Sequence, residues 1–256
     1  MTDVSRRDLF GLGLIARARA GIDYEAVTER VGDGWERDGH EPLLRALEPV
    51  AQTLVGAARV GEGARVLDVA AGDGNVAAAA IARGADVDAC DLADGMVTRG
   101  RARVPGACWV RADVQDLPYP SEAFDAVLSS LGVVLAPRAR RAARELVRVA
   151  RPGGVVALTA WLPNSLPGRV ERLARLPAGL RSPADWGIEA VARERLEPLL
   201  DDLECETQSV RLAFEDEGAL LAALLRAHGH DDAPELRGHG AATDAGYLLA
   251  IGRRPA

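Results

Sequence analysis

The sequence contains no lysine, so every one of its 31 basic residues is arginine. It has three cysteines, Cys90, Cys108 and Cys205, and aromatic residues make up only 4% of it. The cysteines are far apart and none forms a CxxC pair, which argues against a structural zinc site and a disulfide framework and suits a reducing compartment. No apolar run reaches the roughly 18 residues of a membrane span. The formal net charge is -7, and no basic stripe is broad enough to follow a nucleic-acid backbone. The arginine-rich stretches 138–148 and 169–181 alternate with apolar residues at helical spacing and read as solvated helix faces.

Hydrophobic residues make up 48% of the 256, enough for a sizeable core. Ser5-Arg6-Arg7-Asp8-Leu9-Phe10 resembles the start of a twin-arginine export signal, with Ala18-Arg19-Ala20 in place of a cleavage site. The apolar stretch between them is short and is followed by Arg17 and Arg19, which fits an N-terminal amphipathic helix better and leaves a cytoplasmic location as the expectation.

Residues 1–60 read as helical, with segments over 22–34 and 42–58. From Arg65 onward short β-branched strands alternate with helices. The pattern predicts strands over 65–69, 87–90, 108–111, 124–129 and 155–161 and helices over 76–83, 93–103 and 138–150. Further strands are expected over 204–214 and 247–252, with a helix over 217–228. Alternation of this kind implies βαβ units and a parallel sheet. One domain is the simplest reading: a helical cap over 1–60, a ligand-binding core over 61–161, and substrate-side helices with the final strands over 162–256.

The central feature is Val66-Leu67-Asp68-Val69-Ala70-Ala71-Gly72-Asp73-Gly74-Asn75, a strand running into a glycine turn and a helix. Open α/β sheets bind ligands beyond the carboxyl ends of their strands, and glycines there let the backbone turn sharply and a ligand come close. Alone, such a turn can equally be structural. Asp91 closes the next strand, where a carboxylate can accept both ribose hydroxyls or simply cap the following helix. Asp113, in Ala112-Asp113-Val114-Gln115-Asp116-Leu117-Pro118, can accept from an adenine amino group or serve as a turn residue.

The order and spacing of these features resemble the class I S-adenosylmethionine (SAM)-dependent methyltransferases, most closely the small-molecule enzymes of quinone and actinobacterial natural-product biosynthesis. The glycine turn is similar to that family's first motif, and Asp91 to its ribose-binding acid. Ala112-Asp113 resembles its adenine-side motif, Phe124 to Ser129 its fourth strand, and Arg144 to Gly154 the helix and turn before its fifth. The resemblance spans about residues 60–161. It implies a Rossmann-like sheet of seven mostly parallel strands with the last antiparallel and helices on both faces. It also implies SAM as cofactor, held by Asp68, Ala70, Gly72, Asp73, Gly74, Asn75, Asp91, Leu92, Met96, Asp113, Val114 and Ser129. Ala70-Ala71 and Asp73 depart from the residues common in the family. A nicotinamide site would want a third glycine where Ala77 stands.

A small-molecule acceptor would then meet Tyr24, Trp35, Ser130, Trp161 and Asn164, with His40 a candidate base and neither a metal nor a nucleic acid expected. Trp186 can line the same pocket or merely pack. Asp91→Ala should weaken cofactor binding with little loss of fold. His228, His230, Asp231, Asp232 and His239 fit no standard metal spacing and read as a polar loop. A monomer or a homodimer fits equally, and the motifs leave open a SAM-binding protein that transfers no methyl group.

Overall fold

A computed structural model describes residues 21–227 and 232–256. The export-like motif at Ser5–Phe10, the segment around Ala18, and His228, His230 and Asp231 lie outside the described residues. The chain begins with three helices, α1 (Tyr24–Glu36), α2 (Glu41–Ala46) and α3 (Glu48–Ala57). The continuous helix expected over 42–58 is broken at Leu47, because Pro49 has no N–H to give and its ring would strike the carbonyl four residues back.

A seven-stranded sheet follows. Its strands are β1 (Arg65–Val69), β2 (Asp86–Asp91), β3 (Cys108–Arg111), β4 (Phe124–Ser130), β5 (Ala150–Trp161), β6 (Asp201–Ala213) and β7 (Ala242–Arg253). Between them lie α4 (Asn75–Ile81), α5 (Asp94–Arg103), α6 (Ala139–Val149), α7 (Leu166–Glu171), α8 (Glu189–Leu196) and α9 (Glu217–Ala227). The spatial order is β3-β2-β1-β4-β5-β7-β6. β7 runs antiparallel to both of its neighbours, and the other pairs are parallel, as the sequence led us to expect.

Two strands are longer than their apolar cores suggest. β7 starts at Ala242 because polar Thr243 and Asp244 still pair with β6. β5 starts at Ala150, through an irregular stretch that includes Pro152 and Gly153. The arginine-rich 169–181 stretch is helical only as far as Glu171, so it is not one solvated helix face.

Alternating apolar residues along the central strands face opposite layers. Val66 and Leu128 pack with α3, α4 and α9, while Leu67, Val127 and Leu158 pack with α6 and Leu196 of α8. Each fully buried leucine of this kind contributes about 1.5–3 kcal/mol. Because β1 lies between β2 and β4, the chain leaves it in opposite directions, and the crevice beyond the carboxyl ends of β1, β2 and β4 is where such sheets receive ligands.

Trp109 in β3 wedges the first crossovers together. Its indole N–H donates to the Val104 carbonyl at 3.1 Å, and its ring lies against Gly74 and Gly100. A methyl group on Gly100 would overlap that ring. We therefore expect Gly100→Ala to destabilise the protein although alanine is the better helix former. Overpacking costs about 1–3 kcal/mol against roughly 1 kcal/mol of propensity gained. The melting temperature should fall by about 2–8 °C, and an unchanged melt would show that the Trp109 wedge yields freely.

Candidate cofactor and acceptor site

The crevice is built around Asp91, the last residue of β2. Its carboxylate is buried and accepts from the Gly72 N–H at 2.8 Å and the Ala93 N–H at 3.0 Å. One side chain thus ties the β1–α4 turn to the β2–α5 turn and still has lone pairs toward the cleft. Asp68, next to last in β1, accepts from the Ala77 N–H at 2.9 Å through Oδ2. Its Oδ1 is buried and has no partner among the described residues. Gly72 (φ 58°) and Gly74 (φ 97°) take the left-handed conformation that the turn requires. At Gly74 a Cβ would also meet the Trp109 ring at 2.9 Å.

The N-terminal helices close the cleft from above. Glu36, at the end of α1, accepts from the backbone N–H groups of Asp94 and Gly95, the first residues of α5. The Gln115 side-chain amide donates to Thr28 of α1 at 3.1 Å and to the Asp113 carboxylate at 2.9 Å. Asn75 donates to the Leu44 carbonyl of α2 at 2.7 Å. The cover is therefore joined to the cofactor-side loops after β1, β2 and β3.

Of the residues singled out in the sequence, Asp68, Ala70, Gly72, Asn75, Asp91, Leu92, Asp113 and Val114 line one cleft together with Trp35, Ser130 and Trp161. The others stand elsewhere. Ser129 is fully buried, donating to the Val69 carbonyl and accepting from the Val133 N–H, and so links β1 and β4 beneath the cleft. Met96 is buried in a small cluster with Leu44 and Ala93. The Asp73 carboxylate turns outward to Arg103 at 3.1 Å, and Gly74 faces Trp109. Tyr24 lies under the Arg138 guanidinium, 4.6 Å from its ring centre. Asn164 is exposed.

His40 is buried beneath Trp35, with ring centres 4.7 Å apart, and its Nε2 lies 3.1 Å from the Gly34 carbonyl. It is not among the residues of the cleft wall, and burial lowers its pKa. Its position is that of a structural histidine at the α1–α2 bend. Trp186 is packed under Arg195. Of the polar loop, Asp232 pairs with Arg237 and His239 lies 3.0 Å from Arg169.

Several lining residues escaped the sequence reading. Thr28, Gln115, Gly132, Glu171 and Leu224 all line the cleft. Gln115 stood inside a quoted motif. Gly132 sits against the Ala70 carbonyl, a close approach that no sequence pattern marks. Glu171 lay hidden in an arginine-rich stretch that reads as surface.

Burial without a counter-ion dominates the electrostatics. Asp68 is pushed up to about 8 by burial, despite its hydrogen bond from Ala77 and with added repulsion from Asp91 and Asp73. Asp91 is pushed up to about 6, burial outweighing its backbone hydrogen bonds. An unpartnered buried carboxyl oxygen facing a cleft fits a ligand that brings hydrogen-bond donors or positive charge.

Residues 67–158 match a family model described as methyltransferase domain. An uncharacterized protein of Mycobacterium tuberculosis is 41% identical over 158 residues, 58% of this chain and 57% of the relative. Demethylmenaquinone methyltransferase of Clavibacter sepedonicus is 38% identical over 126 residues, 48% of this chain and 47% of that enzyme. The matches span only about half the length of these curated relatives. In fold, the chain is similar to one from a complex of the Haloferax volcanii Trm112 methyltransferase activator with a methyltransferase. That likeness has a TM-score of 0.62 at 20% identity and covers 88% of this chain and 97% of the other. The match to methyltransferase domains thus falls on residues 67–158, the stretch that carries the glycine turn, Asp91 and Asp113, and enzymes of that kind use SAM.

Two outcomes follow from this geometry. Asp91→Ala should weaken SAM binding by about 10–100-fold in calorimetry, the loss expected for hydrogen bonds to a charged group. Contrary to the sequence-based expectation it should also cost stability, about 1–3 kcal/mol, because the Gly72 and Ala93 N–H groups lose their acceptor. Unchanged affinity would remove Asp91 from the site. Because the folded state holds Asp68 and Asp91 protonated to higher pH than the unfolded chain does, ligand-free stability should fall as pH rises from about 4 through 6 to 8. Asp68→Asn should recover the part lost toward pH 8 and gain nothing near pH 4 in thermal melts.

Proposed function

We propose that the protein transfers a methyl group from SAM to a small-molecule acceptor. The observation that carries this reading is the sign of charge in the cleft. Among the described residues, Asp68, Asp91, Asp113 and Glu171 are its ionisable lining residues, and no arginine lines it although the chain has 31. Such a wall suits a cationic adenosyl ligand and opposes the pyrophosphate of a nicotinamide dinucleotide, which needs an anion site.

The roles follow from position. Asp91 would accept the ribose hydroxyls, and the bare backbone at Gly72 would let the ligand approach. Asp113, fixed by Gln115, would face the adenine edge. Asp68, with its free oxygen, would meet the cationic amino-acid end. SAM supplies an activated methyl group on a sulfonium. The protein's task is then to hold an acceptor in line at near-attack distance and keep water out. Trp35, Leu43, Leu44 and Leu47 on the covering helices and Trp161 at the end of β5 give the walls that do so. An enclosed, acid-lined cleft under a helical cover favours a small molecule over a nucleic acid. Among the described residues no helix is long and apolar enough to cross a membrane.

SAM at about a hundredfold excess over its Kd should raise the melting temperature by about 5–10 °C, and NAD should not. Purified protein given SAM and a metabolite extract should form S-adenosylhomocysteine. Stabilisation by NAD alone would overturn the reading. Stabilisation by SAM with no S-adenosylhomocysteine formed would mark a binding protein without methyl transfer.

A further inference from the structure

Glu171 is the last residue of α7, a short helix that no motif touches. Its side chain is 2% exposed, and Oε2 has no hydrogen-bond partner among the described residues. The helix is held tightly. Ser165 caps it, and Gly168 lies so close to the Leu162 carbonyl that a side chain there would overlap it. Ser182 donates to the Glu171 backbone carbonyl at 3.3 Å. The carboxyl group is therefore placed by backbone packing, not by a counter-ion.

Glu171 lines the cofactor cleft alongside Trp161, Leu131 and Leu224. It also lines a second cavity, which shares Val31, Trp35, Leu135, Ala136 and Pro137 with the first. The two spaces thus meet at one ionisable residue in an otherwise apolar junction. The second cavity carries Arg30, Arg37, Arg175 and Arg181 with Asp33 and Asp232 on its wall. None of these perturbs Glu171, whose carboxyl is pushed up to about 8 by burial alone.

We propose that the second cavity receives the acceptor and that Glu171 takes the proton of an acceptor hydroxyl during methyl transfer. This rests on the methyl-transfer reading above and deepens it. A lone pair of the acceptor oxygen forms the new O–C bond as the C–S bond breaks, its electron pair passing to sulfur. The hydroxyl proton goes to the Glu171 carboxylate. A methyl ether, a neutral thioether and a neutral carboxylic acid result, so charge and atoms balance. A neutral hydroxyl is the nucleophile that needs such a base, and a carboxyl that titrates near the working pH is matched to the task. The cationic sulfonium entering the adjoining cleft favours the ionised carboxyl, so cofactor binding arms the base.

The test compares SAM with S-adenosylhomocysteine, which lacks only the methyl group and its charge. On the proposed pose Asp68 and Asp91 meet parts that the two ligands share, so their titration largely cancels in the affinity ratio. In calorimetry the SAM to S-adenosylhomocysteine affinity ratio of the wild type should rise about tenfold between pH 6.5 and 9, equivalent to a one-unit fall in the carboxyl's pKa. In Glu171→Gln the ratio should stay flat. With SAM and a metabolite extract, Glu171→Gln should form S-adenosylhomocysteine at least about 100-fold more slowly, and Glu171→Asp should keep part of the rate. Glu171→Gln should fold, and melt above the wild type at pH 8, because an unpartnered acid is removed. A wild-type ratio that does not move with pH, or wild-type turnover by Glu171→Gln, overturns the assignment while leaving the methyl-transfer reading intact. Failure of the wild type to bind either ligand sinks both.

Discussion

The Asp91 carboxylate, shared between the Gly72 and Ala93 amides, is the contact on which the site depends. Each amide sits at the head of a different βα crossover, and each would otherwise be an orphan donor near a cleft. One buried acceptor satisfies both and sets the gap between the two loops. The side chain expected to meet the ribose is therefore the one that shapes the groove around it. Burial raises its pKa, and the two amides hold that rise in check, which keeps it largely charged near neutrality.

The same logic extends to the acids that have less help. Asp68 and Glu171 each bury a carboxyl oxygen without a partner among the described residues, in a chain with arginines to spare. Elsewhere in this protein several carboxylates are paired with arginine, Glu145 with Arg148 and Asp125 with Arg151 among them. Burial of unpaired acids costs stability, and folds carry such costs where a ligand later relieves them. That contrast within one molecule separates the cleft from the rest of the surface more sharply than shape does.

The sheet was legible because β1–β4 are short and apolar and are punctuated by glycine and proline, which leaves few alternative pairings. The glycine turn, Asp91 and Asp113 were legible because backbone chemistry fixes their spacing. Other assignments followed the motif rather than the side chain's direction. Ser129 lies next to Ser130 in β4, and alternate residues of a strand face opposite ways, so only Ser130 reaches the cleft. Asp73 and Gly74 stand within the turn but face Arg103 and Trp109. Glu171 was invisible because its burial depends on α7 being pressed against the Leu162 backbone, a tertiary contact with no local sequence pattern.

Glu36 gives the covering helix a charged latch on the first amides of α5, a few residues past Asp91. That latch sits on the surface and is made of two hydrogen bonds from a helix N-terminus to one carboxylate, so it is weak beside the packed sheet. A ligand leaving the cleft on this side would have to part this latch and the Gln115–Thr28 hydrogen bond that also holds α1. On the proposed reading, a carboxylate that never meets the reacting atoms would then help to set how long the product stays bound.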